Sequence, residues 1–270
     1  MLKLVFVILF NSLFFFSCLS QNQETQTITK EESQEQIIEK YFTNMALKHS
    51  LYSREREESI DKGLAEDSTI AYLWQQKAMP LFKQGKYELG MKHLDKAVKY
   101  KRDRYQGYRG FIKCIFAKTY REAIIDLEDC IRKEGNNLEM DHSYSFYIAL
   151  SHLQLNEFEI AEKIFKEDIE SLQEKKGLDW VHHLDLFYYG IAKYEQKKYT
   201  EAIAVFEMAL KKYPEFSEVQ YYYAICMART DKPDKAKELF SQAKLNSKNG
   251  YTINEDNVIY ERYPYQVRWQ

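Results

Sequence analysis

One pattern returns five times along this chain, and that recurrence constrains its folding more than any single motif does. A small residue is followed about twelve positions later by a second small residue, four further on by a large apolar one, and usually after three more by a third small one. The five sets are Ala78, Gly90, Leu94, Ala97; Ile112, Ala123, Leu127, Cys130; Ala149, Ala161, Phe165, Asp168; Gly190, Ala202, Phe206, Ala209; and Ala224, Ala236, Phe240, Ala243. A period in the mid-thirties marks one supersecondary element per unit, each burying its apolar face only by stacking on its neighbours. The chain is therefore expected to be an array and not a single globular core.

Within each unit, apolar residues fall three, four and seven apart on either side of a short polar turn, the spacing of amphipathic helices. Each unit is thus a helical hairpin. From Leu184, the stretch LDLFYYGIAKYEQKKYTEAIAVFEMALKKYP reads as one helix, a lysine-rich turn at Gln196 to Lys198, and a second helix stopped by Pro214. Small residues such as Gly190, Ala202 and Ala209 stand where helix axes must approach closely, and Tyr199 and Phe206 fill what remains.

Over residues 71 to 250 the chain resembles the tetratricopeptide repeat family. The unit AYLWQQKAMPLFKQGKYELGMKHLDKAVKY carries the early Trp74, small Ala78, turn Gly85 with Tyr87, and late Ala97 of that family, and the fourth unit adds the terminal Pro214. The resemblance implies an all-α fold, a right-handed solenoid of about five to six helical hairpins with an aromatic-rich C-terminal tail. The units are expected near 71–104, 105–137, 142–175, 183–216 and 217–250, with residues 34–70 a degenerate sixth hairpin built from IIEKYFTNMALKH and REREESIDKGLAED. Its second helix is short of large apolar residues, as suits a terminal repeat with a polar outer face. Ile112 and Asp168 stand at usually small positions, Pro233 replaces a turn aromatic, Pro80 should kink its helix, and the second unit is one residue short near Lys118 to Tyr120. Insertions at 138–141 and 176–182 separate neighbouring hairpins.

The opening stretch MLKLVFVILFNSLFFFSC has the layout of a secretory signal: a lysine, a nearly unbroken apolar run, then Ser17 and Cys18. It is too short for a comfortable membrane span. Phe-Phe-Ser-Cys also resembles the bacterial lipoprotein box, which implies a signal peptide over 1–17 and lipidation at Cys18; cleavage after Ser20 to release a soluble exported protein is the alternative. The polar residues of 18–33 then read as a flexible tether. The expected location is the cell envelope, lipid-anchored to a bacterial membrane or otherwise periplasmic or secreted.

With 39 basic against 41 acidic residues the chain has no electrostatic footprint for a nucleic-acid backbone, and no nucleic-acid partner is expected. Cys114, Cys130 and Cys226 all fall inside expected helices; Cys114 lies before the turn of its hairpin and Cys130 near the far end of the returning helix, too far apart for unstrained bridging, and the three read as buried thiols. His182 and His183 sit together at the second insertion, near Asp179 and Asp185, but no third ligand stands at a recognisable spacing, so no metal site is expected. His152 stands at a turn position usually taken by an aromatic residue. No glycine-rich phosphate loop and no recognisable nucleophile arrangement occurs, so neither catalytic residues nor a cofactor are expected.

What remains is binding. The family resemblance places free side chains of each first helix along a concave groove. These are Tyr72, Gln75, Met79 and Phe82; Arg109, Lys113 and Phe116; Phe146, Leu150 and Leu153; Leu184, Phe187, Ile191 and Tyr194; and Tyr221, Ile225 and Arg229. The groove so drawn is basic at Arg109 and Lys113 and apolar over its middle, the character of a protein interaction surface. Packing between adjacent first helices is the competing role for any of these residues. The tail YTINEDNVIYERYPYQVRWQ is too aromatic for solvated disorder, and Pro264 argues against a helix through it. It has three possible roles: capping the last hairpin, lying in the groove as an internal ligand, or docking on a partner. The cap is favoured, since Tyr222 and Phe240 would otherwise be exposed. The expected function is a non-catalytic scaffold binding a protein or peptide partner in its groove; the alternative is a carbohydrate or peptidoglycan-fragment binder using tyrosine faces and Trp180.

Overall fold

The computed structural model describes residues 29–269, so the signal stretch, Cys18, Ser20 and most of the tether lie outside the described residues. Residues 29–33, the last of that tether, belong to a helix over 29–38, here α1. The chain forms two compact units: one holds the described residues up to Pro80 with Lys92–Tyr100, the other Leu81–Met91 and the residues from Lys101 onward.

In the first unit α1 runs into a π turn at Glu39–Thr43 and a 3-10 turn at Ala46–Lys48, followed by α2 (Arg54–Glu66) and the start of α3 (Ala71–Lys83). Ser53 starts α2 by accepting a hydrogen bond from the Arg56 amide at 3.2 Å. Phe42, Ala46, Ile60, Leu64, Ile70 and Leu73 form one buried cluster, with Ile37, Ile38, Tyr72 and Trp74 packed on it. Each fully buried large apolar side chain contributes roughly 1.5–3 kcal/mol relative to exposure. Residues 34–70 thus fold as a pair of helical segments around a shared apolar seam. Trp74 donates from Nε1 to the Ser68 carbonyl at 2.9 Å, stacks on His93 at 5.7 Å, and carries the Lys96 ammonium over its ring at 3.9 Å. The early tryptophan is therefore a packing centre.

The second unit contains the close of α3, the opening of α4 (Tyr87–Tyr100), and four further hairpins: α5 (Arg102–Ile112) with α6 (Tyr120–Glu134), α7 (Tyr144–Gln154) with α8 (Phe158–Lys176), α9 (His183–Glu195) with α10 (Tyr199–Lys212), and α11 (Ser217–Arg229) with α12 (Pro233–Lys248). From α6 onward each second helix packs on the next first helix, and successive first helices from α5 touch. The turns share one device. Gly85, Asn156, Lys197 and Asp231 are left-handed, and the amide of the residue that follows each, at Lys86, Glu157, Lys198 and Lys232, donates to a helical carbonyl five positions back. The α5–α6 hairpin, one residue short in sequence, differs here. Its first helix ends in a π turn over Lys113–Ala117, Lys118 is left-handed, and the Thr119 amide reaches back to Lys113.

The small residues of the repeat do what their size predicts: Ala123, Ala149, Ala161, Ala202, Ala209 and Ala243 are fully buried. Phe240 departs from the pattern, being 45% exposed where Leu127, Phe165 and Phe206 are sealed. The insertion at 138–141 becomes a two-stranded antiparallel hairpin, β1 (Leu138–Glu139) with β2 (His142–Ser143), and that at 176–182 contains a 3-10 turn over Leu178–Trp180. Pro80 lies inside α3, which continues to Lys83.

Candidate functional site

Beyond Gly250, which turns the chain at a φ of +86°, residues 251–269 form neither helix nor strand. They run across the first helices of the second unit. The Ser217 amide donates to the Tyr251 carbonyl at 2.9 Å, at the start of α11. Asn254 meets the His183 ring and Glu255 the His142 ring, at 3.1 and 3.4 Å. Tyr260 lies under the Lys83 ammonium, 4.4 Å from its ring centre. Lys118 pairs with Glu261 at 3.0 Å and donates to the Arg262 carbonyl at 3.3 Å. The chain then crosses back. Tyr188 donates from its hydroxyl to the Pro264 carbonyl at 3.0 Å, Tyr222 donates to the Tyr265 carbonyl at 3.3 Å, and Trp269 ends against Tyr221 and Phe240. Ile253 and Tyr263 are almost wholly buried. The tail therefore crosses the first-helix face and also packs on the last hairpin, through Tyr251, Tyr265 and Trp269.

Many of the residues expected to line the groove are buried. Phe82, Phe116, Phe146, Leu150, Leu153, Leu184, Phe187 and Ile191 are 2% exposed or less and belong to the core. Phe187 meets the rings of Tyr188, Phe216 and Tyr222, and Phe82 meets Phe116. Arg109 and Lys113 are not a free basic point: Arg109 reaches Asp126 at 2.6 Å and Lys113 reaches it at 2.9 Å, all within the α5–α6 hairpin. Tyr194, Tyr221 and Ile225 are half-buried, with Tyr194 and Tyr221 both against the Tyr222 ring, and Arg229 is exposed. In the first unit Tyr72, Gln75 and Met79 are half-buried, Tyr72 standing edge-on to Phe42.

Apart from Tyr221, the residues that hold the tail were not among those expected to line the groove. Tyr188 and Tyr222 each stand two positions before the repeat's small residue, as does Tyr147, whose hydroxyl donates to the Glu139 carbonyl at 3.1 Å. A tyrosine recurring at one repeat position was the available signal. Lys83 and Lys118 lie at or beside turns and carried no signal apart from charge.

The histidines assemble differently from their sequence order. His142 of β2 is buried, stacked on Phe146 at 3.8 Å, with Nδ1 3.0 Å from Asp185 and Nε2 facing Glu255. Burial alone would push its pKa down, but hydrogen bonds to both carboxylates outweigh that and raise it to about 9. It is an imidazolium clamped between a helix carboxylate and a tail carboxylate. His182 caps α9: its Nδ1 accepts from the Leu184 amide at 3.3 Å while Asp185 accepts from the His182 amide at 3.1 Å. Burial, then the neighbouring His183 and His142, lower His182 to about 4, so its ring is neutral. His142, His182 and Asp185 each offer one ligand atom, all within 4.8 Å of one another. A divalent ion there would have to displace the proton that His142 shares with Asp185. Asp179 is not part of that set.

Cys114, Cys130 and Cys226 are buried free thiols, and burial raises all three above the usual range, Cys114 and Cys226 to about 12 and Cys130 to about 11. Such thiols are poor nucleophiles. His152 faces Glu157 at 2.6 Å beside its turn. No helix among the described residues is long and apolar enough to cross a membrane.

A family profile described as Tetratricopeptide repeat matches residues 193–249. No curated protein matches the chain. Solved structures of similar fold include MamA, residues 41 to the end, from Desulfovibrio magneticus RS-1, which is 13% identical with a TM-score of 0.55 over 66% of this chain and 96% of that one. PilW, described as a widely conserved type IV pilus biogenesis factor, is 13% identical with a TM-score of 0.58 over 72% of this chain and 86% of its own. YrrB, described as a TPR protein with an unusual peptide-binding site, is 17% identical with a TM-score of 0.50 over 70% of this chain and 93% of its own. The chain thus has the all-α helical-hairpin fold of tetratricopeptide-repeat proteins, with a tetratricopeptide repeat over residues 193–249.

Proposed function

We propose that this protein is a non-catalytic scaffold that binds a protein or peptide partner along its first-helix face. The observation that carries this reading is the tail itself: the face already holds an irregular polypeptide segment, gripped by tyrosine hydroxyls on main-chain carbonyls and by cationic side chains on acidic ones. Carbonyl recognition is largely indifferent to side-chain identity, so a surface that seats one non-helical segment this way is chemically suited to another. The low reactivity of its buried thiols fits a binding role. That YrrB is described as having a peptide-binding site is in keeping with it.

The location we propose is the bacterial cell envelope, with the chain exported and held by a lipid on Cys18. The support is the N-terminal sequence, and labelled-fatty-acid incorporation that disappears in Cys18→Ser is the test. A carbohydrate-binding role retains one observation in its favour: Trp180 is 64% exposed on the 3-10 turn, with Lys176 beside its ring. Soluble glycan fragments that bind and are lost on Trp180→Ala would favour that alternative.

Photo-crosslinking tests the scaffold reading in the full chain. A photoreactive side chain at Arg229, exposed at the end of α11, should yield a defined protein adduct in envelope membranes. The same group at Ile125, exposed on α6, should not. Adducts from Ile125 alone, or from neither position, would remove the first-helix face as the binding surface.

A further inference from the structure

We infer that the first-helix face of the second unit selects a peptide with acidic residues ahead of an aromatic–proline–aromatic stretch, and that residues 251–269 are a resident copy which such a peptide displaces. This deepens the scaffold reading above and rests on it.

Three features of the face define the ligand. The first is positive charge. Lys83, Lys118 and the imidazole of His142 meet the Tyr260 ring, Glu261 and Glu255, so acidic and ring-bearing residues in the first part of a ligand answer cations fixed on the turns and on β2. The second is main-chain reading. The Tyr188 and Tyr222 hydroxyls take the carbonyls of Pro264 and Tyr265, while the proline has no N–H to leave unpaired when it is buried. The third is an aromatic slot. Tyr221 and Phe240 receive the Trp269 ring, and Tyr222 receives that of Tyr265. Phe240 is 45% exposed even with Trp269 in place, so this end of the slot is open to solvent.

The same contacts argue for displacement. Among the described residues, the main-chain to main-chain hydrogen bonds from 251–269 to the rest of the protein are confined to its first two residues: the Tyr251 carbonyl accepts from Ser217, the Tyr251 amide donates to Asn246, and the Thr252 amide donates to Gly250. Past Thr252 the segment is held through side chains, each of which a peptide of the same chemistry meets equally well. Glu218 gives the segment less than it could. It is fully buried beneath the tail, the Ile253 and Val267 amides face its carboxyl, and yet Oε1 lies outside hydrogen-bonding geometry. Exchange of tail for ligand is therefore close to an exchange of like contacts. What opposes it is the covalent link, which presents the tail at an effective concentration on the millimolar scale. Loosening the tail should raise the apparent affinity for a ligand by the corresponding factor.

The test uses the full chain and a fluorescein-labelled synthetic peptide of residues 251–270. Fluorescence anisotropy should show at least about tenfold tighter binding to the Glu255→Gln, Tyr265→Ala double variant than to the unaltered protein. A peptide with both glutamates replaced by glutamine and Pro264 by alanine should lose that binding. In the unaltered protein, tail amides from 258 to 268 should exchange with deuterium before the amides of α9 and α11 do. That measurement decides the matter if the variant fails to fold. Tail amides that open only together with those helices would overturn the inference, as would equal peptide binding by both proteins. Concentration-dependent dimers formed by the loosened variant would overturn it too, because the occupant would then be a second copy's tail. If these results fail while Arg229 still crosslinks a partner, the scaffold reading stands and the ligand chemistry assigned here falls.

Discussion

Gly190 is where the fold is most sensitive to a single carbon atom. It lies in α9, and a Cβ added there would sit 2.4 Å from Cε1 and 2.7 Å from Cδ1 of Phe206, a ring with no exposed surface. Comfortable carbon contacts lie near 3.5–4.0 Å, so the ring or the helix must move by about 1 Å in a place without free volume. Overpacking of this kind costs about 1–3 kcal/mol, and the overlap with a closed ring places Gly190→Ala toward the upper end. Alanine returns about 1 kcal/mol through its higher helix propensity. The net expectation is a loss of about 1–2 kcal/mol. Urea unfolding followed by far-UV circular dichroism reads it, provided the slope is unchanged, since arrays can lose two-state behaviour. Phe206→Leu removes the ring edge, so the double variant should recover at least about 0.5 kcal/mol relative to the sum of the singles. Gly190→Ala that is as stable as the original protein, or more so, would refute the close approach of α9 and α10. Gly90, whose added Cβ would meet Phe82 at 2.5 Å, should behave in the same way.

His142 is raised from 6.5 to about 9, so the stability it contributes is full below about 6.5 and is lost as pH climbs through about 9. At about 1.4 kcal/mol for each pH unit between those two values this amounts to at most ~3 kcal/mol, shared with Asp185, Glu255 and His182, which face the same ring. Urea midpoints across that window should fall, and His142→Gln should flatten the curve. Glu162 gives the opposite sign. Despite its burial, hydrogen bonds from Lys193, Lys198 and Gln196 lower it to about 2, so its contribution is present above about 4.5 and lost as pH falls through about 2. Glu162→Gln should cost about 1–2 kcal/mol at neutral pH and abolish that acid limb. Ala209, fully buried in α10, is the matching test of helix crossing, and Ala209→Trp should lower stability by about 1–3 kcal/mol in the same assay.

The repeat was legible because helix crossings require small residues at fixed intervals, a requirement local enough to leave a period in the chain. Gly190, Ala202 and Ala209 could be assigned to close approaches from spacing alone, as could the hairpin turns. Phe187 shows where that reasoning stopped. A residue on the first-helix face looks the same in sequence whether it meets solvent, a partner or the protein's own tail, and here it is core. Truncating it to alanine would cost about 3–5 kcal/mol of core packing and so cannot report on binding.

The sequence by itself determined the class of fold, the hairpin length, the turn positions and the absence of a charge pattern suited to nucleic acid, since these follow from periodicity and composition. Only the tertiary structure decided that His142 joins Asp185 and Glu255, that Asp126 neutralises Arg109 and Lys113, and that the last residues cross the face built by Tyr188 and Tyr222. These contacts join residues 13 to 113 positions apart in sequence. They obey no period, because the partners of a buried side chain are set by which surfaces the packed helices leave open.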